Sequence, residues 1–393
     1  MLARRQPNVS WQRLARAFVA PAAACAIALA LAPAARAAAQ ELPSRLDDST
    51  FWKLVTDYSE PGGYFRSDNF VSNEMAFQYV IPALLQTTKP GGVYLGVGPD
   101  QNFTYIVALK PKLAFIIDIR RGNLQEQLLY KAVVELSDNR ADFLSRLFSR
   151  PRPAGLDTTV SADSLLRAYA SVPANDSMYQ RNLRAVKEWL TSHHHFALGD
   201  SDLAGIEYVY SAFSEAGPDL TYNFGNGRGN FRGYGRGMPT YAELMIQTDG
   251  RGAHRSYIAD EENYRALRQH ELDNAIVPLV GNFAGDKAIK SVAGYLKEHH
   301  ATVTAFYLSN VEQYLWNPAG GDDGRKFFGN VATLPLDPAS TFIRAVFNGG
   351  GVRGAAGGSG MRGPTILASM MDQLKAFNEG RINSYYDVVQ VSK

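Results

Sequence analysis

Residues 93–118 read VYLGVGPDQNFTYIVALKPKLAFIID, and the order of elements in this stretch decides the fold. A short β-rich run from Val93 meets two glycines, Gly96 and Gly98, then Pro99 and Asp100. Residues 101–109 place Phe103, Ile106 and Val107 at helical spacing, and Lys110-Pro111 ends that segment. A second apolar run over 113–117 finishes on Asp118, and a helical pattern with leucines and valines on one face covers 124–136. Strand, glycine turn, helix, strand, acid and helix are the opening of a doubly wound parallel sheet.

The pattern resumes far downstream. Residues 275–280 (AIVPLV) predict a buried strand, 286–299 a helix and 302–308 (TVTAFYL) another strand; 340–347 and 385–391 read as closing strands at an antiparallel edge. Upstream, 47–86 reads as helical, with a stripe through Phe70, Met75, Phe77, Val80, Ile81 and Leu84. The stretch between is too long for a loop. The expected class is therefore α/β: a doubly wound, mostly parallel sheet with a large mixed, largely helical insertion. Its parts are an N-terminal helical segment over 38–90, a first sheet portion over 91–136, the insertion over 137–272 and a second sheet portion over 273–393.

The first 37 residues carry Arg4, Arg5, Arg13 and Arg16 and no acid, then an alanine-rich apolar run over 19–31, then Ala35-Arg36-Ala37. That run is shorter than the roughly 20 apolar residues a bilayer span needs. The order matches a cleavable export signal. It predicts a periplasmic or secreted protein with no stable membrane insertion after cleavage. Cys25, the one cysteine of the chain, would leave with the signal, removing disulfides and thiolate chemistry together. The whole chain has 40 Lys+Arg against 38 Asp+Glu; losing the arginines at 4, 5, 13, 16 and 36 leaves 35 against 38. A mature balance near −3 gives no support to a nucleic-acid partner. The glycine-rich stretches over 222–239 and 348–364, embedded in a folded domain, read as loops or lids rather than RNA-binding tails.

For chemistry, the leading constellation is Gly96-Val97-Gly98 with Asp118 twenty residues on. Glycines at a strand end let backbone approach a nucleoside, and an acid at the next strand tip accepts from ribose hydroxyls. A dinucleotide fingerprint would need a third glycine where Gln101 stands, so a bound pyrophosphate is disfavoured. His193-His194-His195 read as a helix end, where positive charge meets the helix dipole, and no metal site is expected. The sequence has no G-x-S-x-G elbow, P-loop or H-E-x-x-H.

VYLGVGPD, AFIIDIRRGN, VPLVGNFAG and FYLSNVEQYL resemble motifs I to IV of the class I S-adenosylmethionine-dependent methyltransferase fold, and more narrowly an uncharacterised bacterial family with that fold, over most of 69–347. The resemblance implies a Rossmann-like domain binding S-adenosylmethionine or a related nucleoside. Gly96, Gly98 and Asp100 would lie along the methionine part, Asp118 at the ribose and Asn282 at the adenine edge. Asn310 and Glu312, after the fourth strand, are the candidate catalytic groups, and Glu74 would reach the pocket from the preceding helix. In the insertion, Asp249, Arg255 and Tyr257 read either as a substrate-anchoring loop or as a turn with a helix cap. Two departures stand out: Asn282 replaces the usual acid after the third-motif glycine, and Ser309-Asn310-Val311-Glu312 lacks the Asn-Pro-Pro-aromatic signature of amino-group methylation. Methyl transfer to an unidentified acceptor is one reading. A second is a non-catalytic periplasmic or secreted binding protein that keeps a vestigial pocket for a different small molecule, and a third is a hydrolase using carboxylates of the insertion, for which the sequence offers no motif. On the export reading, N-terminal sequencing of the extracytoplasmic protein returns a first residue between Ala38 and Glu41; an intact Met1 on cytoplasmic protein contradicts it.

Overall fold

The structure is a computed structural model that describes residues 41–222, 238–317, 321–347 and 364–392. The export segment expected over 1–37 and the glycine-rich stretches over 223–237 and 348–363 lie outside the described residues. Six strands make one sheet: β1 (Val93–Gly96), β2 (Leu113–Asp118), β3 (Ile276–Val280), β4 (Val303–Ser309), β5 (Thr341–Ala345) and β6 (Thr365–Ser369). Their spatial order is β3-β2-β1-β4-β5-β6, with the first five parallel and β6 antiparallel to β5. Every residue of β1, β2 and β3 is buried, which suits parallel strands covered by helices on both faces. The order reverses between β1 and β4. At such a switch point the two crossovers leave in opposite directions and open a crevice at the carboxyl ends of the strands.

Helices that feed strands are stopped by residues in the left-handed conformation. α3 (Gln101–Leu109) ends at Lys110 (φ 50), α10 (Glu261–Leu272) at Asn274 (φ 54) and α11 (Ala288–Glu298) at His300 (φ 49), each just ahead of a strand. His300 is thus part of a chain reversal. The other helices around the sheet are α1 (Asp48–Tyr58), α2 (Ile81–Thr87), α4 (Arg121–Glu135), α12 (Val311–Leu315), α13 (Asp323–Val331), α14 (Met370–Asn378) and α15 (Tyr385–Val391). The insertion adds α5 (Arg140–Leu147), α6 (Ala162–Ala170), α7 (Asp176–Glu188), α8 (Asp200–Ala216) and α9 (Tyr241–Met245), ending in α10. It is continuous with the sheet domain, since Gln40–Lys393 forms one unit. No helix of the described residues is long and apolar enough to cross a membrane.

Two expectations need correction. Residues 385–391 are helical: Ser384 caps α15 by accepting from the Asp387 N–H, so a valine- and tyrosine-rich run that imitates a strand starts as a helix. The antiparallel edge is β6 instead. The expected helix over 47–86 is broken after α1 by Pro61-Gly62-Gly63 and a left-handed Asn69 (φ 54). The released segment runs across the carboxyl end of the sheet as a strap. Glu60 N–H donates to Val280 O at the end of β3 (2.8 Å), Gly63 N–H to Ile119 O after β2 (2.7 Å), and Glu74 accepts from side chains of β4.

α4 is buried from Asn123 to Glu135, between the sheet and helices α8 and α10. Its charged residues consequently need partners inside the protein. Lys131 Nζ donates to Glu135 Oε1 (2.7 Å) and Glu271 O (2.6 Å), and Glu135 Oε2 meets Trp189 Nε1 (2.6 Å) and His194 Nε2 (2.6 Å). His194 Nδ1 lies 2.8 Å from Asp48 Oδ1. With a carboxylate at each ring nitrogen, His194 ties α1 to α4. The bland view of the three histidines as a helix end holds for exposed His193 and His195 but not for buried His194. Replacing His194 with Gln should lower unfolding free energy by about 2 kcal/mol, the scale of charge-assisted hydrogen bonds. His193→Gln should stay within about 0.5 kcal/mol. Urea unfolding of the two variants compares them directly; equal stabilities would contradict the clamp.

Candidate functional site

At the switch point β1 runs out at Gly96 and the chain turns through Gly98 into α3. A side chain at Gly96 would strike Asn102, whose Oδ1 lies 2.0 Å from the would-be Cβ. Asn102 uses the vacated space to brace the turn from inside, its Nδ2 donating to Val97 O (3.0 Å) and Pro99 O (2.7 Å). Gly98 takes φ +81, where an L side chain is strained, and Gln127 of α4 donates to its carbonyl (3.1 Å). A Cβ on Gly98 would face Asn69 of the strap and Gln101, both at 3.6 Å. Gly98 is therefore the open side of the turn and Gly96 the closed one.

Three buried acids surround this turn. Asp100 begins α3 without capping it; its Oδ2 accepts from Tyr257 OH (2.9 Å), which shares a further hydroxyl contact with Tyr241 (2.7 Å). Asp100 Oδ1 has no hydrogen-bond partner, and burial pushes the carboxyl up to about 7 against the pull of the Tyr257 bond. Glu126, on the inward face of α4, has no partner at either oxygen. Burial pushes it well above the usual carboxylate range; Arg120 opposes this, while Asp100, Asp118 and Asp68 add to it. Glu74, from the strap, accepts at Oε1 from Tyr307 OH (2.7 Å) and Ser309 Oγ, while Oε2 has no partner; burial raises it to about 7. Gln101 Nε2 donates to Tyr307 OH (3.0 Å), so the β1 turn and the β4 tip share one network. Ser309 ends β4 with φ 49, a left-handed conformation costly for a non-glycine residue.

Asp118 stands at the β2 tip as expected, but it is already engaged. Oδ1 accepts from Arg120 N–H (2.8 Å) and Nε (3.1 Å), and Oδ2 from Nη2 (3.1 Å). Burial disfavours the Arg120 charge, yet the adjacent Asp118 outweighs it and Arg120 is held above its ordinary value. Of the remaining candidates, Tyr257 reaches the cluster through Asp100. Asp249 and Arg255 pair with each other (3.0 Å) in a turn that Asp249 also closes by accepting from Arg251 and Ala253 N–H groups. Asn282 Oδ1 accepts from Ala284 N–H (2.9 Å), and its own N–H donates to Glu60, which also caps α11 through the Lys287 and Ala288 N–H groups. Asn310 precedes α12 at the half-buried β4 tip. Glu312, expected as a base there, is held bidentately by Arg344 with both side chains buried, so both of its oxygens are committed to an ion pair. Among the described residues no group of three His, Cys, Asp or Glu could hold a metal ion.

The sequence reading missed the inward face of α4. Asn123, Glu126, Gln127 and Tyr130 sit at i, i+3, i+4 and i+7, a polar stripe opposite the leucines, and all are buried. Both side-chain atoms of Asn123 and Oε1 of Gln127 lack partners, as does Oε1 of Gln101 across the turn. The spacing was legible; that the polar face points inward was not.

The chain belongs to the family described as a domain of unknown function, DUF7790, whose profile matches residues 69–362. The match runs from the strap, through the sheet and insertion, past β5. No curated protein matches the sequence.

The raised acids fix the sign of a pH effect. Glu74 and Asp100 near 7, and buried Glu271 near 8, hold protons more tightly folded than unfolded. Their contribution is complete below about pH 4 and is lost as pH rises through 7 to 8. Acids held down by cations, such as Asp202 beside Arg121, titrate below that range. Urea unfolding of the ligand-free chain should show stability falling between pH 5.5 and 8.5 by about 1 kcal/mol or more, because one pKa unit is about 1.4 kcal/mol. A flat or rising profile would contradict the burial of these acids.

Proposed function

We propose that this chain binds a small nucleoside-type ligand, with S-adenosylmethionine as the candidate cofactor, in the crevice between β1 and β4 of a methyltransferase-like Rossmann fold. The observation that carries the reading is the set of buried, unpartnered polar atoms on Asp100, Gln101, Asn123, Glu126 and Gln127, gathered at the switch point. Buried polar atoms without partners are expensive, and their concentration beside a left-handed glycine turn fits a bound polar guest. Strand order and the reversed edge strand support the methyltransferase-like form of the fold.

The residues fit such a cofactor in part. The open side of Gly98 would lie along it, and Asp100, Asn123 and Glu126 offer groups for polar parts. Asp118 Oδ2 holds one Arg120 bond and retains acceptor capacity for a ribose hydroxyl. Bound S-adenosylmethionine would supply an activated methyl group; the chain's contribution would be to align an acceptor with it. The half-buried β4 tip at Ser309 and Asn310 would hold that acceptor. The alternative, a non-catalytic periplasmic or secreted binding protein, is favoured by the commitment of Glu312 to Arg344, which removes the expected base. The export signal belongs to either reading.

Calorimetry with S-adenosylmethionine, S-adenosylhomocysteine and adenosine tests the proposal. At least the first should bind; Gly98→Val should abolish binding, and Asp118→Asn should weaken it about tenfold, the loss of one charge-assisted bond. Asp118→Ala is a poor probe, because it strands a buried arginine at a cost of about 3 kcal/mol. If none of the three binds to a chain shown folded by circular dichroism, the reading fails.

A further inference from the structure

We infer that the ligand of this crevice carries a positive charge, and that it enters in exchange for a proton held by the Asp100–Glu126 pair. This deepens the reading just given and rests on it. Asp100 Oδ1, Glu126 Oε1 and Oε2, Gln101 Oε1 and Gln127 Oε1 are all acceptors when the acids are ionised, with the Asn123 amide nitrogen as a donor among them. The complementary guest presents donors or positive charge. A phosphate would meet carboxylates instead of donors, which agrees with the missing third glycine of a pyrophosphate loop.

The surrounding charges point the same way. Glu126 is faced by Asp100 from the β1 turn, Asp118 and Arg120 from the end of β2, and Asp68 from the strap. Asp100 is faced by Tyr257 and Tyr241 of the insertion and by Tyr130 of α4, all neutral phenols. Among the described residues these acids face Arg120, whose guanidinium is spent on Asp118 and on the carbonyl of Asp68. Without a guest, the low-dielectric interior answers the excess of acid by keeping protons on Asp100 and Glu126. Burial places Asp100 close to neutrality, so a modest nearby charge suffices to remove its proton.

The exchange balances simply. A carboxylic acid of the pair loses its O–H proton to buffer, and the carboxylate left behind pairs with the cationic centre, an ammonium or a sulfonium. No bond to the ligand forms and no electron changes hands. Linkage then requires affinity to rise with pH while the free site is protonated, about tenfold per pH unit for each proton released.

The test uses the full mature chain, titrated calorimetrically with S-adenosylmethionine and with 5′-methylthioadenosine, its uncharged nucleoside counterpart. Measurements run from pH 5.5 to 6.5, where the amino group of the former keeps its own proton, in two buffers of different ionisation enthalpy. The expected result is release of about one proton with S-adenosylmethionine, affinity rising about tenfold per pH unit, and weaker, pH-independent binding of the thioether. Glu126→Gln should reduce the proton release. Its folding is checked independently: an amide needs no proton to be buried, so its urea midpoint at pH 8 should equal or exceed that of the native chain. Equal, pH-independent binding of both compounds would overturn the exchange while leaving the nucleoside reading intact. Binding of neither would overturn the nucleoside reading and this inference with it.

Discussion

A helix buried on every side must find partners for each polar atom it carries, and α4 is such a helix. Wedged between the sheet and the insertion, it carries Gln125, Lys131 and Glu135 into the interior, and each meets a partner there: Asp202 for Gln125, Glu135 and the Glu271 carbonyl for Lys131, Trp189 and His194 for Glu135. The insertion is what makes this environment, since α8 carries Asp202 and α10 carries Glu271. Where that pairing stops, along the stripe of Asn123, Glu126, Gln127 and Tyr130, the helix faces the β1 turn. A polar face left unpartnered in a helix otherwise fully satisfied marks the one place on α4 where the protein's own atoms do not complete the structure.

The strap explains why this place is interior rather than an open cleft. The chain from Glu60 to Glu74 crosses the carboxyl ends of β3, β2, β1 and β4 in turn, fastened by backbone bonds at the first two and by Glu74 at the last. Glu74 on the strap, Asp100 at the β1 turn and Glu126 on α4 are all buried, and burial raises each of them. The cost of burying these groups falls on the ligand-free chain, and a guest with complementary donors would relieve it.

Much of the frame was legible in the sequence because it rests on local signals. The glycine turn after β1, the apolar runs of β2, β3 and β4, and the acid at the β2 tip follow from periodicity and turn chemistry. What escaped depends on contacts between residues far apart. Arg120 lies two residues from Asp118, yet its return onto that carboxylate is a side-chain conformation no spacing rule supplies. Arg344 removes Glu312 from service across a strand pairing. Proline and glycine at 61–63 signalled a break, but a continuous apolar stripe argued for a helix, and the strap was read as one. At 385–391 β-branched residues outweighed a capping serine in the reading, though not in the fold.

The measurement that bears most directly on the binding site is a crystal structure of the protein grown with S-adenosylmethionine. The account predicts ligand density beside Gly98, with donor or cationic atoms within hydrogen-bond distance of Glu126 and of Asp100 Oδ1. Density showing those oxygens bonded only to ordered waters, with the nucleoside absent or seated elsewhere, would contradict it.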